Sequence, residues 1–246
     1  MALFTDKKER IITVPEVRTT QLTNHTVGVP QVDLTYAAEM SVKSVVHVKT
    51  LYSNEEYQSN PFYDFLFGER GRSQQPRASI GSGSGVIISD DGYIVTNNHV
   101  VQGSNLINIV LYDKREYEGK LVGFDPYTDW ALIKIDEKDL PKMDFGNSDD
   151  LKLGEWVLAV GNPFNLTSTV TAGIISAKAR NLGLNGNRMS IESFLQTEAA
   201  VNPGNSGGAW VDTKGRLVEI NTAIETRTGS YSGYSFAIPV TIVEKV

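Results

Sequence analysis

An all-β fold is what this sequence predicts, on three observations. From Gly81 onward, short apolar segments rich in β-branched residues recur between Gly, Asn and Asp turn signals. No long helical periodicity lies between them, which argues against a doubly wound α/β fold. Asp90-Asp91-Gly92 joins two such segments as a hairpin turn. Short, regularly spaced strands suit either a barrel or a sandwich.

The elements follow in order. Ile11 to Pro15 reads as a short strand, and Gly28 to Pro30 breaks the chain. Asp33 to Met40 reads as one or two helical turns with Asp33 as N-cap. Ser41 to Thr50 then reads as a strand from its β-branched content and alternation. Residues 52–79 form a long polar loop carrying Phe62, Tyr63, Phe65 and Phe67, and a loop of that length points to function or mobility. The hairpin strands are Gly85 to Ser89 and Tyr93 to Thr96. Further strands are expected at Leu106 to Leu111, Gly119 to Phe124, Ala131 to Ile135, Trp156 to Gly161 and Val170 to Ala177. The last four are Phe194 to Thr197, Gly208 to Val211, Leu217 to Thr222 and Ser235 to Ile238. Asn181 to Asn187 and Glu225 to Gly233 read as loops, and Pro239 opens a helix toward Val246.

Composition narrows the function. The 246 residues are 40% hydrophobic and 21% charged, which excludes collagen, coiled coil and full disorder. Acidic residues outnumber basic ones 29 to 23, net charge −6, and no dense Lys/Arg run marks a nucleic-acid surface. There is no cysteine, so disulfides, thiolate catalysis and Cys-based zinc sites are excluded. The three histidines, His25, His47 and His99, form no metal-binding spacing, and no metal or cofactor is expected. No apolar run has the length of a membrane span, and Met1 to Arg10 lacks the apolar core of a signal segment.

Three motifs can carry chemistry together. Asn202-Pro203-Gly204-Asn205-Ser206-Gly207-Gly208 sets a serine between glycines, which permit a tight turn and close approach of a substrate. A serine hydroxyl needs a base and an oxyanion site to act as a nucleophile. Thr96-Asn97-Asn98-His99 puts a histidine at the end of an apolar strand, where a side chain is well held. Asp129 in Thr128-Asp129-Trp130 stands just before another strand, where a carboxylate can orient an imidazole. Taken alone, each also reads as an ordinary loop serine, structural histidine or turn aspartate. Their order, His99, Asp129, Ser206, is that of the chymotrypsin class. His47 sits within a plain strand pattern and His25 in a polar stretch, and both read as structural. Gly81-Ser82-Gly83-Ser84-Gly85 is neither a dinucleotide loop nor a nucleophile elbow.

With these motifs in view, the sequence resembles the HtrA (Deg) family of trypsin-like serine proteases. The matching stretches are GSGVIISDDGYIVTNNHVV (83–101), TDWALIKI (128–135), GNPF (161–164), TAGIISA (171–177), QTEAAVNPGNSGG (196–208) and FAIP (236–239). The resemblance implies two six-stranded antiparallel β-barrels of the chymotrypsin/trypsin type, with the triad in the crevice between them. It places the first barrel at about 35–140, the second at about 150–240, and an N-terminal segment at 1–34. It implies oxyanion donors at the backbone of Gly204 and Ser206. Ala200 stands where trypsin-type enzymes keep a carboxylate, so basic side chains are not repaid for desolvation. Val201 and Ile224 would complete a shallow apolar pocket for small aliphatic residues. Asn205 is uncharged, so no zymogen ammonium is expected to pair there.

The function implied is ATP-independent endoproteolysis of unfolded proteins in the periplasm or cell envelope, controlled by loop ordering, by a homotrimer or larger homo-oligomer. A chaperone-like binder of misfolded proteins with minor or silenced proteolysis is the alternative. PDZ domains usually follow in this family, and none is expected within these 246 residues.

Overall fold

The computed structural model describes residues 32–52, 79–163, 168–180, 194–202, 204–224 and 235–243. The strand expected at Ile11 to Pro15, the aromatic cluster at 62–67 and the loops expected at Asn181 to Asn187 and Glu225 to Gly233 lie outside the described residues.

The first half runs α1 (Thr35–Ser44), β1 (Val45–Tyr52), β2 (Ser79–Ile87), β3 (Tyr93–Asn97), α2 (Asn98–Val101), β4 (Leu106–Val110), β5 (Glu116–Asp125) and β6 (Trp130–Lys134). The second runs β7 (Trp156–Gly161), β8 (Thr169–Arg180), β9 (Phe194–Thr197), β10 (Ala209–Val211), β11 (Leu217–Ile224), β12 (Ser235–Pro239) and α3 (Val240–Val243). The strands close into two antiparallel barrels, ordered β1-β2-β3-β6-β5-β4 and β7-β8-β9-β12-β11-β10 around their rings. The two orders are the same, so the halves share one topology. The choice between barrel and sandwich is thereby settled as two barrels.

Burial explains why the strands read as near-continuous apolar runs. Along β1, Val46 and Val48 join Ile94, Ile109 and Ile133 in one core cluster. Val45, on the opposite face, joins Val86 and Val95 in a second cluster with Val160, Ala209, Ile220 and Phe236 of the other barrel. In β7, Leu158 and Val160 belong to that shared cluster, while Val157 and Ala159 pack with Ile175, Leu195, Val201 and Trp210. Strands buried on both faces lose the apolar–polar alternation of a half-exposed sheet.

Several boundaries differ from the sequence reading. The first helix continues through Ser41–Ser44, which had read as the start of a strand. Its buried side is Ala37, Ser41 and Ser44, a helical spacing of small residues hidden among β-branched neighbours. The Ser41 hydroxyl donates to the Ala37 carbonyl at 2.5 Å, so its polar group is satisfied within the helix. Leu34, not Asp33, is the capping residue. The Asp33 carboxylate instead accepts from the Thr35 hydroxyl at 2.5 Å and the Thr35 N–H at 2.9 Å, and these bonds hold its pKa below the ordinary value. Strand β2 begins six residues earlier than expected, because Ser79 to Ser84 pair with Tyr52 to His47 of β1, and Gly81, Gly83 and Gly85 lie under close neighbours there. A Cβ on Gly85 would sit 2.8 Å from Ile94 Cγ2. Pro239 ends β12, and the short helix starts after it, at Val240.

Candidate active site

His99 is carried by the single helical turn α2, directly after β3, not by the strand end itself. Asp129 closes the turn between β5 and β6. The Asp125 carboxylate organises that turn, accepting from the Tyr127 N–H at 2.9 Å and the Thr128 hydroxyl at 2.6 Å. Asp129 has φ +55°, the left-handed region that short polar side chains tolerate better than most. This geometry points its carboxylate at α2. Oδ2 accepts from His99 Nδ1–H at 2.7 Å, and Oδ1 accepts from the His99 backbone N–H at 2.9 Å. Both oxygens therefore serve one residue. The Asp129 carbonyl is held as well, by the Asn98 N–H and by Asn97 Nδ2, each at 3.1 Å. His99 and Asp129 are each only 7% exposed, so this charge-assisted pair is shielded from water.

Ser206 sits in a turn whose backbone is almost fully committed. Asn205 N–H donates to the Asn202 carbonyl at 3.0 Å, Gly207 N–H to Asn221 at 2.8 Å, and Gly208 N–H to Asn205 at 2.9 Å. Asn221 Nδ2 reinforces the turn by donating to the Asn205 carbonyl at 2.9 Å. Gly204 (φ +95°) and Gly207 (φ +83°) take the conformations that only glycine adopts cheaply. The N–H groups of Gly204 and Ser206 donate to no group among the described residues.

The barrels bring the turn to the His–Asp pair. The Ser206 carbonyl accepts from the Ser84 N–H in β2 at 2.7 Å. Beside it, Gly83 has no side chain because one would meet Val100, next to His99, at 2.6 Å and the Ser206 carbonyl at 3.2 Å. From the other side, Asn97 Nδ2 donates to Thr222 Oγ1 in β11 at 3.0 Å, tying the Asp129 anchor to the second barrel. The pair and the serine turn thus meet along one stretch of β2 and β3.

The pocket residues are placed as follows. Ala200 is half-buried, and its carbonyl accepts from the Thr171 hydroxyl at 2.8 Å. Val201 is buried in the core cluster with Ala199 and Trp210. Ile224 closes β11, opposite Ser235. Asn205 is buried, its side chain against Gly161. His47 is far from this chemistry in role: Nδ1–H donates to the Asn162 carbonyl at 2.7 Å, and burial holds its pKa below the ordinary histidine value. Sequence reading left Ser84, Asn97, Asn162 and Asn221 without roles. For Ser84, Asn97 and Asn162 the only signal was membership in the motif stretches, and Asn221 had none, since each acts through a partner well removed along the chain.

Paired six-stranded barrels with a buried His–Asp pair at their junction and a Gly-framed serine beside it define the trypsin-like class of peptidase. Residues 83–220 match the family of trypsin-like peptidase domains. A protein of Chlamydia muridarum named "Probable periplasmic serine endoprotease DegP-like" is 45% identical over 78% of this chain and 38% of its own length. A relative of the same name from Marinomonas sp. is 40% identical over 98% of this chain and 54% of its own. The chain therefore spans about two-fifths to one-half of these relatives' length. Among solved structures, the HtrA-type protease AlgW with decapeptide is 42% identical with TM-score 0.71, covering 87% of this chain and 66% of that one. The serine endoprotease from Yersinia pestis is 37% identical with TM-score 0.64, covering 88% and 65%. The chain belongs to the trypsin-like peptidase family, in its HtrA (Deg) branch.

Proposed function

We propose that this chain is a serine endopeptidase that cleaves unfolded or damaged proteins in the periplasm. The observation that carries the reading is the buried pair in which both Asp129 oxygens hold His99, beside a turn that presents Ser206. Ser206 Oγ attacks the scissile carbonyl, and His99 takes its proton and later passes it to the leaving amine. Because Nδ1 is bonded to Asp129, this exchange runs through Nε2. Asp129 fixes the tautomer and stabilises the imidazolium. The Gly204 and Ser206 N–H groups bind the developing oxyanion, which is where such donors gain most over ground-state binding. Relatives named periplasmic serine endoproteases support the compartment and the activity.

The finer reading rests on the pocket. Ala200, with Val201 and Ile224, favours small aliphatic residues before the cut bond, because no carboxylate stands there for Lys or Arg. The reaction needs neither ATP nor a bound cofactor, and its control lies in loop ordering within a homotrimer or larger homo-oligomer. Incubation of the protein and its Ser206→Ala variant with unfolded casein, with cut sites mapped by mass spectrometry, tests this. Cuts after Val, Ala and Ile that vanish in the variant are expected. Cuts that persist in Ser206→Ala would remove Ser206 as nucleophile, and cuts mainly after Lys or Arg would remove the neutral pocket. Binding of casein without any cleavage, even with added peptide activator, would favour a chaperone-like role instead.

A further inference from the structure

Ser84, within the Gly81-Ser82-Gly83-Ser84-Gly85 run, has no part in the triad, yet its N–H and its hydroxyl both donate to the serine turn. The residue is fully buried. Its N–H donates to the Ser206 carbonyl at 2.7 Å, and its carbonyl accepts from the Thr96 hydroxyl at 2.6 Å. Its hydroxyl donates to the Gly204 carbonyl at 2.8 Å and accepts from the Asn162 N–H at 2.9 Å. The same residue therefore grips the serine turn at two points, one on each side of Asn205. Behind it, the Asn162 carbonyl accepts from His47, which lies directly opposite Ser84 in the β1–β2 register.

The hydroxyl bond matters because of what it restrains. Peptide units are planar, so holding the Gly204 carbonyl fixes the plane of the whole Gly204–Asn205 unit. Gly204 has φ +95° and no Cβ, so its own dihedral preferences hold that plane only weakly. Asn205 N–H bonds to Asn202, and this places the other edge of the same unit. An external tether on the carbonyl completes the restraint, and the Ser84 hydroxyl supplies it.

We propose that Ser84 is a positioning residue whose hydroxyl, bridging the Asn162 N–H to the Gly204 carbonyl, keeps the backbone donors of Gly204 and Ser206 aimed at one oxyanion. The proposal rests on the serine-peptidase reading above. Such donors act on the transition state more than on bound substrate, so loss of the tether lowers turnover and leaves binding nearly intact. Complete loss of one oxyanion donor costs about 10²–10³-fold in kcat, and a donor left in place but misaimed costs less, on the order of 10–100-fold.

The test compares wild type with Ser84→Ala and Ser84→Cys on a peptide substrate and on a peptide boronic acid, which forms a tetrahedral adduct at the reactive serine. Circular dichroism melting gives the folded fraction. For Ser84→Ala, kcat is expected to fall on the order of 10–100-fold with KM within about twofold. Boronate affinity should fall by the same factor as kcat/KM, with Ser84→Cys, a weaker donor of similar shape, lying between. If Ser84→Ala does not fold, Ser84→Cys carries the comparison. A lowered melting temperature with unchanged kcat and boronate affinity, or a loss confined to KM, would overturn the proposal and leave Ser84 a structural serine. Failure of the underlying reading looks different. Wild type would then neither react with a fluorophosphonate at Ser206 nor lose turnover as Ser206→Ala.

Discussion

Two histidines show how little a residue type says without its partners. His47 and His99 are both buried, and each gives Nδ1–H to an oxygen 2.7 Å away. One acceptor is a neutral carbonyl and the other a carboxylate, the partner suited to orient a catalytic base. Glu219 is the converse case, a charged residue type whose place disfavours charge. It lies in β11 between Trp210 and Pro239, fully buried, with neither carboxyl oxygen hydrogen-bonded among the described residues. Burial drives its pKa well up, and Lys178, held by the carbonyls of Asp149 and Leu151, opposes this only in part. The folded protein thus keeps a proton that the unfolded chain releases near pH 4.3. Stability falls as pH rises above that value, by up to about 1.4 kcal/mol per unit, until the folded carboxyl itself ionises. Glu219→Gln removes this slope. Urea unfolding between pH 5 and 8 should show the variant gaining on wild type as pH rises, and parallel curves would contradict the assignment.

At the scale of the element, glycine placement separates strain from crowding. Gly103 and Gly207 both have positive φ, at +73° and +83°. Nothing lies within 4 Å of a Cβ on Gly103, whereas a Cβ on Gly207 would overlap the Ser84 carbonyl and the Thr96 hydroxyl. Gly103→Ala is expected to cost on the order of 1 kcal/mol from backbone strain and to keep its peptidase activity. Gly207→Ala must also push the serine turn away from β2, and turnover should fall by more than about tenfold, as a 1 Å misplacement suffices for such losses. Equal activity in the two variants, measured per folded molecule, would contradict this. The elements themselves were legible to different degrees. Strands β7 and β9 match their expected bounds because apolar runs end at clear turn signals. The Ser41–Ser44 turn of α1 was not legible, since β-branched content outweighed a weak small-residue period.

For the whole molecule, the shared core cluster decides how the barrels behave. Val45, Val86 and Val95 from the first barrel pack in one cluster with Val160, Ile220 and Phe236 from the second. Opening either barrel alone would expose apolar surface on the other, so the two should unfold together. Calorimetry should give one transition with matching calorimetric and van't Hoff enthalpies, and two separable transitions would show the barrels to be independent. The same junction holds the candidate site, which couples activity to intact packing of both halves.

The sequence by itself determined the chemical types: an all-β chain, a Gly-framed serine, a histidine after a strand and an aspartate before one. Turn signals and residue chemistry are local properties, readable over a few positions. Only the tertiary structure decided which of these groups meet. His99 and Asp129 are joined because β3 and β6 pair so that Asn97, two residues before His99, faces Trp130, the residue after Asp129. Barrel closure and the contact of the two barrels then bring Ser84 onto the turn of Ser206 and Asn162 onto Ser84. Such partners are set by strand register and by burial of both strand faces, and neither is written in the residues around any one position.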